Sequence, residues 1–460
     1  MPQDLLQLLR DNQGRQFELH DRYVNPQMRE MLRLVGMDTD YVRASGSYVY
    51  DSKGRRYLDL ITHSAVFSIG HNHPHVAATL KEVLSAELPN ILLMDCSLLS
   101  GLLSERLLKT APHLGKVYFG NSGAEAVEAS LKMARGATGK PRIVSFVGAY
   151  HGLTYGALSA VGHEMWREGF APFLPGCTQV PFNDVDAVAK ELAAGDVACV
   201  LGETIQGDGG VNFPDPGFWP AVADLCRKRG AYLVLDEIQV GMGRVGGFLH
   251  AYQHYDVEPD MLLLGKALSG GQAPVSAVLM RDEIFGRVFS RVDRCFIHSG
   301  TYCENNLSMA AAWATLDVYE EEDLLRKSAA QGDYFLQKLL PLKARYELVH
   351  DVRGKGLLLA IELGPPQSLS LKLGWNTIAT MNEGLLAQMV IVPLFRDHGI
   401  LVQVGGHNFK VIKMMPALNI SREEIDYVAL SLDKVLADCH RFPGGNWGLV
   451  MEMAKRAMVG

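Results

Sequence analysis

The sequence lacks what would tie it to a disulfide framework, a membrane or a nucleic acid. Its seven cysteines (Cys96, Cys177, Cys199, Cys226, Cys295, Cys303 and Cys439) are odd in number, and none forms a C-x-x-C pair. That argues against a disulfide scaffold or a zinc finger and points to a reduced, cytoplasmic protein. No apolar run approaches the ~18 residues needed to span a bilayer. Residues 1–16 mix acids, bases and glutamines and have no apolar core of a signal peptide. The formal charge of −7 is spread without long runs of one sign, which excludes nucleic acid and anionic membrane as main partners. Tandem repeats and low-complexity tracts are absent. So are G-x-S-x-G, H-E-x-x-H and G-x-x-x-x-G-K-[ST], which removes the commonest serine-hydrolase, zinc-protease and P-loop readings.

What is present suits a large globular chain. Of its 460 residues, 48% are apolar, enough for a sizeable core. Short apolar runs at 117–120, 143–147, 197–201, 232–235, 261–264 and 276–280 read as buried strands. Helical patterns lie between several of them. One covers 124–135, with Val127, Leu131 and Ala134 on one face, and another covers 218–228. The alternation predicts an α/β fold, a mostly parallel sheet with helices on both faces. The chain ends differ. Residues 47–60 read as a hairpin turning at 51–54, and 345–363 and 398–440 give strands followed by a helix. We therefore expect a large domain over 71–344 and a smaller α+β domain formed by 1–70 and 345–460.

Two motifs compete for attention. Gly241-Met-Gly243-Arg-Val-Gly246 fits the G-x-G-x-x-G dinucleotide pattern, but the adjacent Gly246 and Gly247 make a poor helix start. His71-Asn-His73-Pro-His75 looks like a metal cluster. Pro74 interrupts it, and no acid or cysteine stands at ligand spacing, so a loop-to-helix turn is expected and no metal.

Three other segments carry chemistry jointly. Asn121-Ser122-Gly123-Ala124-Glu125 follows a strand and opens a helix. Its small residues and the positive helix end suit a phosphate, although Ser122 also fits an ordinary N-cap. Asp236 ends a buried strand, where ligands of a parallel sheet bind. It is placed to meet a ligand nitrogen. Lys266 ends the next strand among apolar residues and glycines, a setting that favours the neutral, nucleophilic amine. A phosphate cradle, a carboxylate for a pyridinium nitrogen and a lysine for a Schiff base are together what pyridoxal 5'-phosphate requires.

In order along the chain, Gly70-His-Asn-His-Pro74, Asn121-Ser-Gly-Ala-Glu125, Tyr150-His151-Gly152, Glu203-Thr-Ile-Gln-Gly207, Asp236-Glu-Ile-Gln239, Lys266 and Gly300-Thr-Tyr302 resemble the class III (subgroup II) pyridoxal-phosphate aminotransferases. Putrescine, ornithine and acetylornithine aminotransferases belong to that family. The resemblance implies fold type I and a homodimer with active sites at the subunit interface. It also implies ping-pong transfer of an amino group from an amine or ω-amino donor to a 2-oxo acid or aldehyde. By the same resemblance, Ser122, Gly123 and Ala124 hold the phosphate and Tyr150 stacks on the pyridine ring. His151 and Glu203 lie beside the cofactor, Gln239 contacts the ring's 3'-oxygen, and Thr301 reaches the neighbouring subunit's cofactor. Asp236 keeps the ring nitrogen protonated, and Lys266 moves the proton between substrate carbon and cofactor. An aminomutase, epimerase or decarboxylase of the same fold shares Lys266 and Asp236.

The chain departs from that pattern at two places. Where many relatives carry a carboxylate-gripping arginine, this sequence has Lys413, and the arginine's usual glutamate partner is matched by Asp208. We expect an aspartate–lysine pair at the substrate end of the site, unless Lys413 is a surface lysine. Lysine is a point charge and cannot make arginine's two-pronged contact. The segment 375–397 is longer than a putrescine-type enzyme needs. It reads as core or dimer packing, or as an apolar wall for a long substrate. At the C-terminus, Trp447 is expected to be exposed and, with the Met-rich tail, to pack on a partner subunit.

Overall fold

The computed structural model of the protein describes residues 4–92, 95–405 and 409–459, with side chains as far as residue 455. Among the described residues, fifteen strands are found in chain order. Near the N-terminus are β1 (Tyr41–Ser45), β2 (Tyr48–Asp51) and β3 (Arg56–Asp59). The middle of the chain gives β4 (Lys116–Gly120), β5 (Arg142–Phe146), β6 (Cys177–Val180), β7 (Val197–Glu203), β8 (Tyr232–Asp236), β9 (Met261–Leu264) and β10 (Ser276–Met280). The last third gives β11 (Val349–Lys355), β12 (Leu358–Leu363), β13 (Ile400–Leu401), β14 (Gln403–Gly405) and β15 (Val411–Met414).

The middle seven strands form one sheet in the order β4-β10-β9-β8-β7-β5-β6. Strands β9, β8, β7, β5 and β6 are parallel neighbours, and β10 runs antiparallel to both β9 and β4. Strand β4 therefore points the same way as the parallel five, and six carboxyl ends share one edge. The mostly parallel sheet read from the sequence is the one observed. Strand β6 is the addition: Cys-Thr-Gln-Val lacks the apolar run that marks the others.

Strands β7 to β10 are buried at every residue, as a sheet covered on both faces requires. Successive residues go to opposite layers. Leu233, Leu235, Leu262 and Leu264 join one hydrophobic cluster, whereas Tyr232, Val234, Met261 and Leu263 join another. The helix Gly123–Thr138 belongs to the second. Ser122 caps it by accepting from Glu125 N at 3.2 Å, and Gly139, at φ +70°, ends it in the left-handed conformation that glycine tolerates. The other expected helix spans Phe218–Arg229.

The two chain ends meet. Strand β13 pairs in parallel with β3, Ile400 opposite Leu58, so residues from both ends share the sheet β1-β2-β3-β13. A second small sheet has the order β11-β12-β15-β14 and is antiparallel throughout. The hairpin read at 47–60 is β2–β3, and Asp51 Oδ1 holds its turn by accepting from Lys53 N (3.0 Å) and Arg55 N (2.8 Å).

The competing motifs resolve into structure. Pro74 opens the helix Pro74–Ser85. The three histidines before and within it turn to different acids: His71 to Asp59 (2.8 Å), His73 to Glu322 (2.9 Å) and His75 to Asp317 (3.3 Å). Residues 241–246 make consecutive turns, with Gly243 and Gly246 at positive φ, and open no helix. Among the described residues no single helix is long and apolar enough to cross a membrane.

One expectation is corrected and another is decided. Trp447 is not exposed: it is fully buried in its own chain, and its indole N–H donates to Cys439 O at 2.7 Å. Its helix, Asn446–Val459, packs on the helices Leu369–Asn382 and Gln388–His398. The sequence alone could not show this, because an amphipathic tail suits its own core and a partner's surface equally. Of the segment 375–397, the stretch 389–395 is core packing: every residue from Met389 to Phe395 is buried, in a helix that packs on the helices Arg422–Cys439 and Asn446–Val459.

Removing the Trp447 side chain leaves a large cavity and an unpaired carbonyl. Trp447→Ala is expected to destabilise the protein by roughly 3–5 kcal/mol in denaturant unfolding. An unchanged midpoint would show that the tail does not belong to the core.

Candidate active site

Five of the six carboxyl ends on the common edge deliver side chains to one cleft. The register of the sheet sets their spacing. Glu203, the last residue of β7, is paired with Asp236, the last residue of β8, and Asp236 is paired with Leu263 of β9. Lys266 stands three residues further on. Strand β5 leads to Tyr150 and His151, and β4 leads to the turn 121–124. The cleft has a volume of about 280 Å³ and is lined by Gly123, Ala124, Tyr150, His151, Glu203, Asp208, Asp236, Gln239 and Lys266. The wall is completed by Gly152, Leu153 and Ile238.

Lys266 lies at φ +42°, a left-handed conformation uncommon outside glycine, at the start of a short 3-10 turn, Lys266–Ser269. Such strain concentrates at functional sites. Burial pushes its amine below the ordinary lysine value. Asp208 opposes that shift, Lys413 adds to it, and Asp236 and Glu203 oppose it. The group that must be neutral to attack a carbonyl is thus held in the setting that favours neutrality.

Asp236 is buried, and each of its oxygens is engaged once. Oδ1 accepts from Ile238 N at 3.0 Å, and Oδ2 lies 2.8 Å from His151 Nδ1. His151 is likewise buried, and its Nε2 has no partner among the described residues. An orphaned ring nitrogen beside a buried carboxylate leaves donor and acceptor capacity for a polar ligand. The pairing of His151 with Asp236 was not legible in the sequence. The signal was present only as a histidine after β5, which lies two strands from β8 in the sheet, and nothing in the spacing sets it against residue 236.

Glu203 accepts from Tyr150 N (3.0 Å) and Gly207 N (2.8 Å). Burial raises its carboxyl to about 7. His151 opposes the shift, Asp236 adds to it, and the Gly207 and Tyr150 N–H groups oppose it. Glu237, next to Asp236 but turned away from the cleft, is also raised to about 7 by burial, against donations from Ala251 N, Tyr252 N and Thr204 Oγ1.

At the phosphate-type turn, Gly123 N–H and Ala124 N–H have no acceptor among the described residues, as expected of the first turn of a helix. The room around them is built from small residues. A Cβ on Gly123 would stand 3.0 Å from Ile238, and one on Gly152, 2.7 Å from the Ala124 methyl. Ser122 sits at the cap itself, outside the cleft wall.

Lys413 is not a surface lysine. It is fully buried in β15, and its ammonium reaches Asp208 Oδ1 (2.5 Å), Gln239 Oε1 (3.3 Å) and Gly207 O (3.4 Å). Three donors meet three acceptors, so the expected aspartate–lysine pair exists and its lysine is saturated. Burial alone would raise the Asp208 carboxyl, but Lys413 and then Lys266 outweigh it and bring it down to about 2. Thr301 is exposed and lies outside the cleft wall, as do Ser122 and Lys413. The other sequence-derived residues all line the cleft.

The sheet edge, the open helix N-terminus, the buried acid and the lysine fit a phosphorylated pyridine aldehyde, and they define an enzyme of the fold type I pyridoxal-phosphate class. Comparison with known proteins sharpens this. The family profile for class-III aminotransferases matches residues 33–436. The chain is 37% identical over 430 residues to a putrescine aminotransferase from Pectobacterium atrosepticum, covering 90% of this chain and 86% of that one. It is 34% identical over 440 residues to the aminotransferase PigE of a Serratia species, covering 88% of this chain. There it spans 51% of the relative, about half its length. The fold matches the ornithine aminotransferase of Toxoplasma gondii, whose crystal structure has partial occupancy of pyridoxal phosphate at the active site. The TM-score is 0.80 at 26% identity, over 99% of this chain and 100% of that one. The chain belongs to the class-III aminotransferases, and its cofactor is pyridoxal 5'-phosphate.

The raised carboxyls make a pH prediction. A glutamate whose folded pKa of about 7 exceeds its ordinary value of 4.5 binds its proton more tightly in the folded state. Its contribution is therefore complete below pH 4.5 and is lost as pH rises through 7. Stability should decline across that window by up to ~3 kcal/mol per buried glutamate. Glu203→Gln should flatten its share of the decline in denaturant titrations at successive pH values. An unchanged slope in that variant would remove Glu203 from the account.

Proposed function

We propose that this protein moves an amino group from a diamine or ω-amino donor to a 2-oxo acid or aldehyde. The observation that carries the reading is that Lys266, Asp236 and the free N–H groups of residues 123 and 124 face one cleft. When bound, pyridoxal phosphate supplies an electron sink that makes a proton on the substrate's amine-bearing carbon removable.

The chain's residues would divide the work as follows. Gly123 and Ala124, with Ser122 at the cap, hold the phosphate on the helix N-terminus. Asp236, kept in place by Ile238 N and His151, holds a proton on the pyridine nitrogen. Lys266 carries the cofactor covalently. Its amine, when free, would move the proton of the substrate's amine-bearing carbon, as base and then acid. Tyr150 and Ile238 bound the ring's slot, Gln239 meets its oxygen, and Glu203 lies at the substrate side.

The charge balance of the cleft favours a diamine over an ω-amino acid as the donor. Glu203, Asp208 and Asp236 line it, the amine of Lys266 is reserved for the cofactor, and Lys413 is saturated behind Asp208. The putrescine-named relative points the same way.

Thr301 would complete the site of a second subunit in a homodimer. Exposed Val292, Phe296, Ile297 and Tyr302, close to it in the chain, and Leu84, Leu88 and Leu92 elsewhere, offer apolar surface for that contact. We further propose the division into a cofactor-carrying part, 71–344, and a smaller part from 1–70 and 345–460. The seven free cysteines support a reducing compartment, the cytoplasm.

Purified protein should show ping-pong kinetics with diamines or ω-amino acids and an oxo acceptor, in a screen that includes pyruvate and 2-oxoglutarate. Amine consumption should stop when the acceptor is withheld. Sustained turnover of the amine alone would favour a decarboxylase, epimerase or aminomutase and contradict the proposal.

A further inference from the structure

Asp208 is carried by a tight loop, residues 206–212, whose base is tied in several ways. Gln206 and Asn212 form an antiparallel bridge, Gln206 Nε2 donates to Val147 O at 2.8 Å, and Gly207 N donates to Glu203. The tip is held differently. Gly210 lies at φ +118° and Val211 at φ +58°, and a β-branched residue avoids that half of the map. The two carbonyls flanking this unfavourable conformation both point to one side chain. Arg353 Nη2 donates to Gly210 O at 2.6 Å, and Arg353 Nε donates to Val211 O at 3.0 Å.

The guanidinium is itself fixed from behind. Its Nη1 donates to Glu362 Oε2 (2.6 Å) and Asp351 Oδ2 (3.0 Å). The β11–β12 register places Asp351 opposite Glu362, and Arg353, two residues along, lies on the same sheet face. A planar fork with donors in fixed directions can grip two successive carbonyls, whereas an ammonium cannot. The loop it grips touches the cleft closely. A Cβ on Gly207 would stand 1.9 Å from Gln239 Oε1. Any displacement of the loop therefore moves Asp208 relative to Lys413, Gln239 and Lys266.

We propose that Arg353 is a positioning residue for the reaction: by clamping Gly210 and Val211 it keeps Asp208 seated on Lys413 and Gln239 at the mouth of the cleft. This rests on the reading of the cleft as the reaction site. The clamp acts from the β11–β12 sheet, so it also ties the C-terminal strands to a loop that follows β7.

The test is a double-mutant cycle on full-length, cofactor-loaded protein, comparing wild type, Arg353→Lys, Asp208→Asn and the double variant. Two quantities are read: kcat/KM, and the pH midpoint of the visible absorption band. Arg353→Lys is expected to lower kcat/KM about tenfold and to shift the band midpoint. In the Asp208→Asn background the same change should add less than about twofold. Equal effects in both backgrounds, or wild-type values for Arg353→Lys, would overturn the clamp. If Arg353→Lys does not fold, Glu362→Gln takes its place, because it removes a carboxylate that orients the fork. It should lower kcat/KM about threefold with the same dependence on Asp208, and wild-type values there overturn the proposal. A wild-type protein with the visible band but no transamination would instead contradict the proposed function, and the band midpoints would still decide the clamp.

Discussion

The site depends first on the parallel register of β7, β8 and β9. Because Glu203 is paired with Asp236, and Asp236 with Leu263, two carboxylates leave the strand ends directly, and Lys266 follows on the short turn two residues beyond β9. The strands are buried at every residue and packed on both faces, so this edge is rigid. Loops are needed only for the parts that meet a ligand's periphery: the turn at 121–124, the Tyr150–Leu153 segment and the loop around Asp208. The division follows a general economy of α/β folds, in which ligands lie beyond the carboxyl ends of strands. The antiparallel β10 does not break it. It reverses direction between β9 and β4, so β4 still presents its carboxyl end to the same edge.

Burial at this edge has opposite consequences for neighbouring groups. It lowers the amine of Lys266 and raises the carboxyls of Glu203 and Glu237. Asp208 escapes because Lys413 stands 2.5 Å away with no exposure of its own. The pair spends a buried lysine on an internal contact, and a substrate carboxylate would have to displace Asp208 to reach it. The short aspartate–lysine pair therefore sets what the cleft offers at this end: a carboxylate backed by a saturated lysine.

Much of this was legible in the sequence, and the reasons are specific. Strands β7, β8, β9 and β10 announced themselves because full burial demands uninterrupted apolar runs. Lys266 and Asp236 each had an ordinary reading alone, a snorkelling lysine and a loop-capping acid, and stood out only jointly with the turn at 121–124. The Asp208–Lys413 pairing was legible only through resemblance, since 205 residues separate the two. Other features left no local trace. Strand β6 is polar, His151 meets Asp236 across 85 residues, and Arg353 reaches Gly210 across 143. Such contacts are set by topology, which periodicity cannot report. Trp447 was misplaced for a related reason: amphipathic pattern says that a face is covered, never by what.

The central claim is that the amine at 266, and no other, carries the cofactor. Borohydride reduction of the purified, cofactor-loaded protein followed by peptide mass mapping tests it directly. The account predicts a single pyridoxyl-modified peptide containing Lys266. Modification confined to another lysine, Lys413 included, would contradict it.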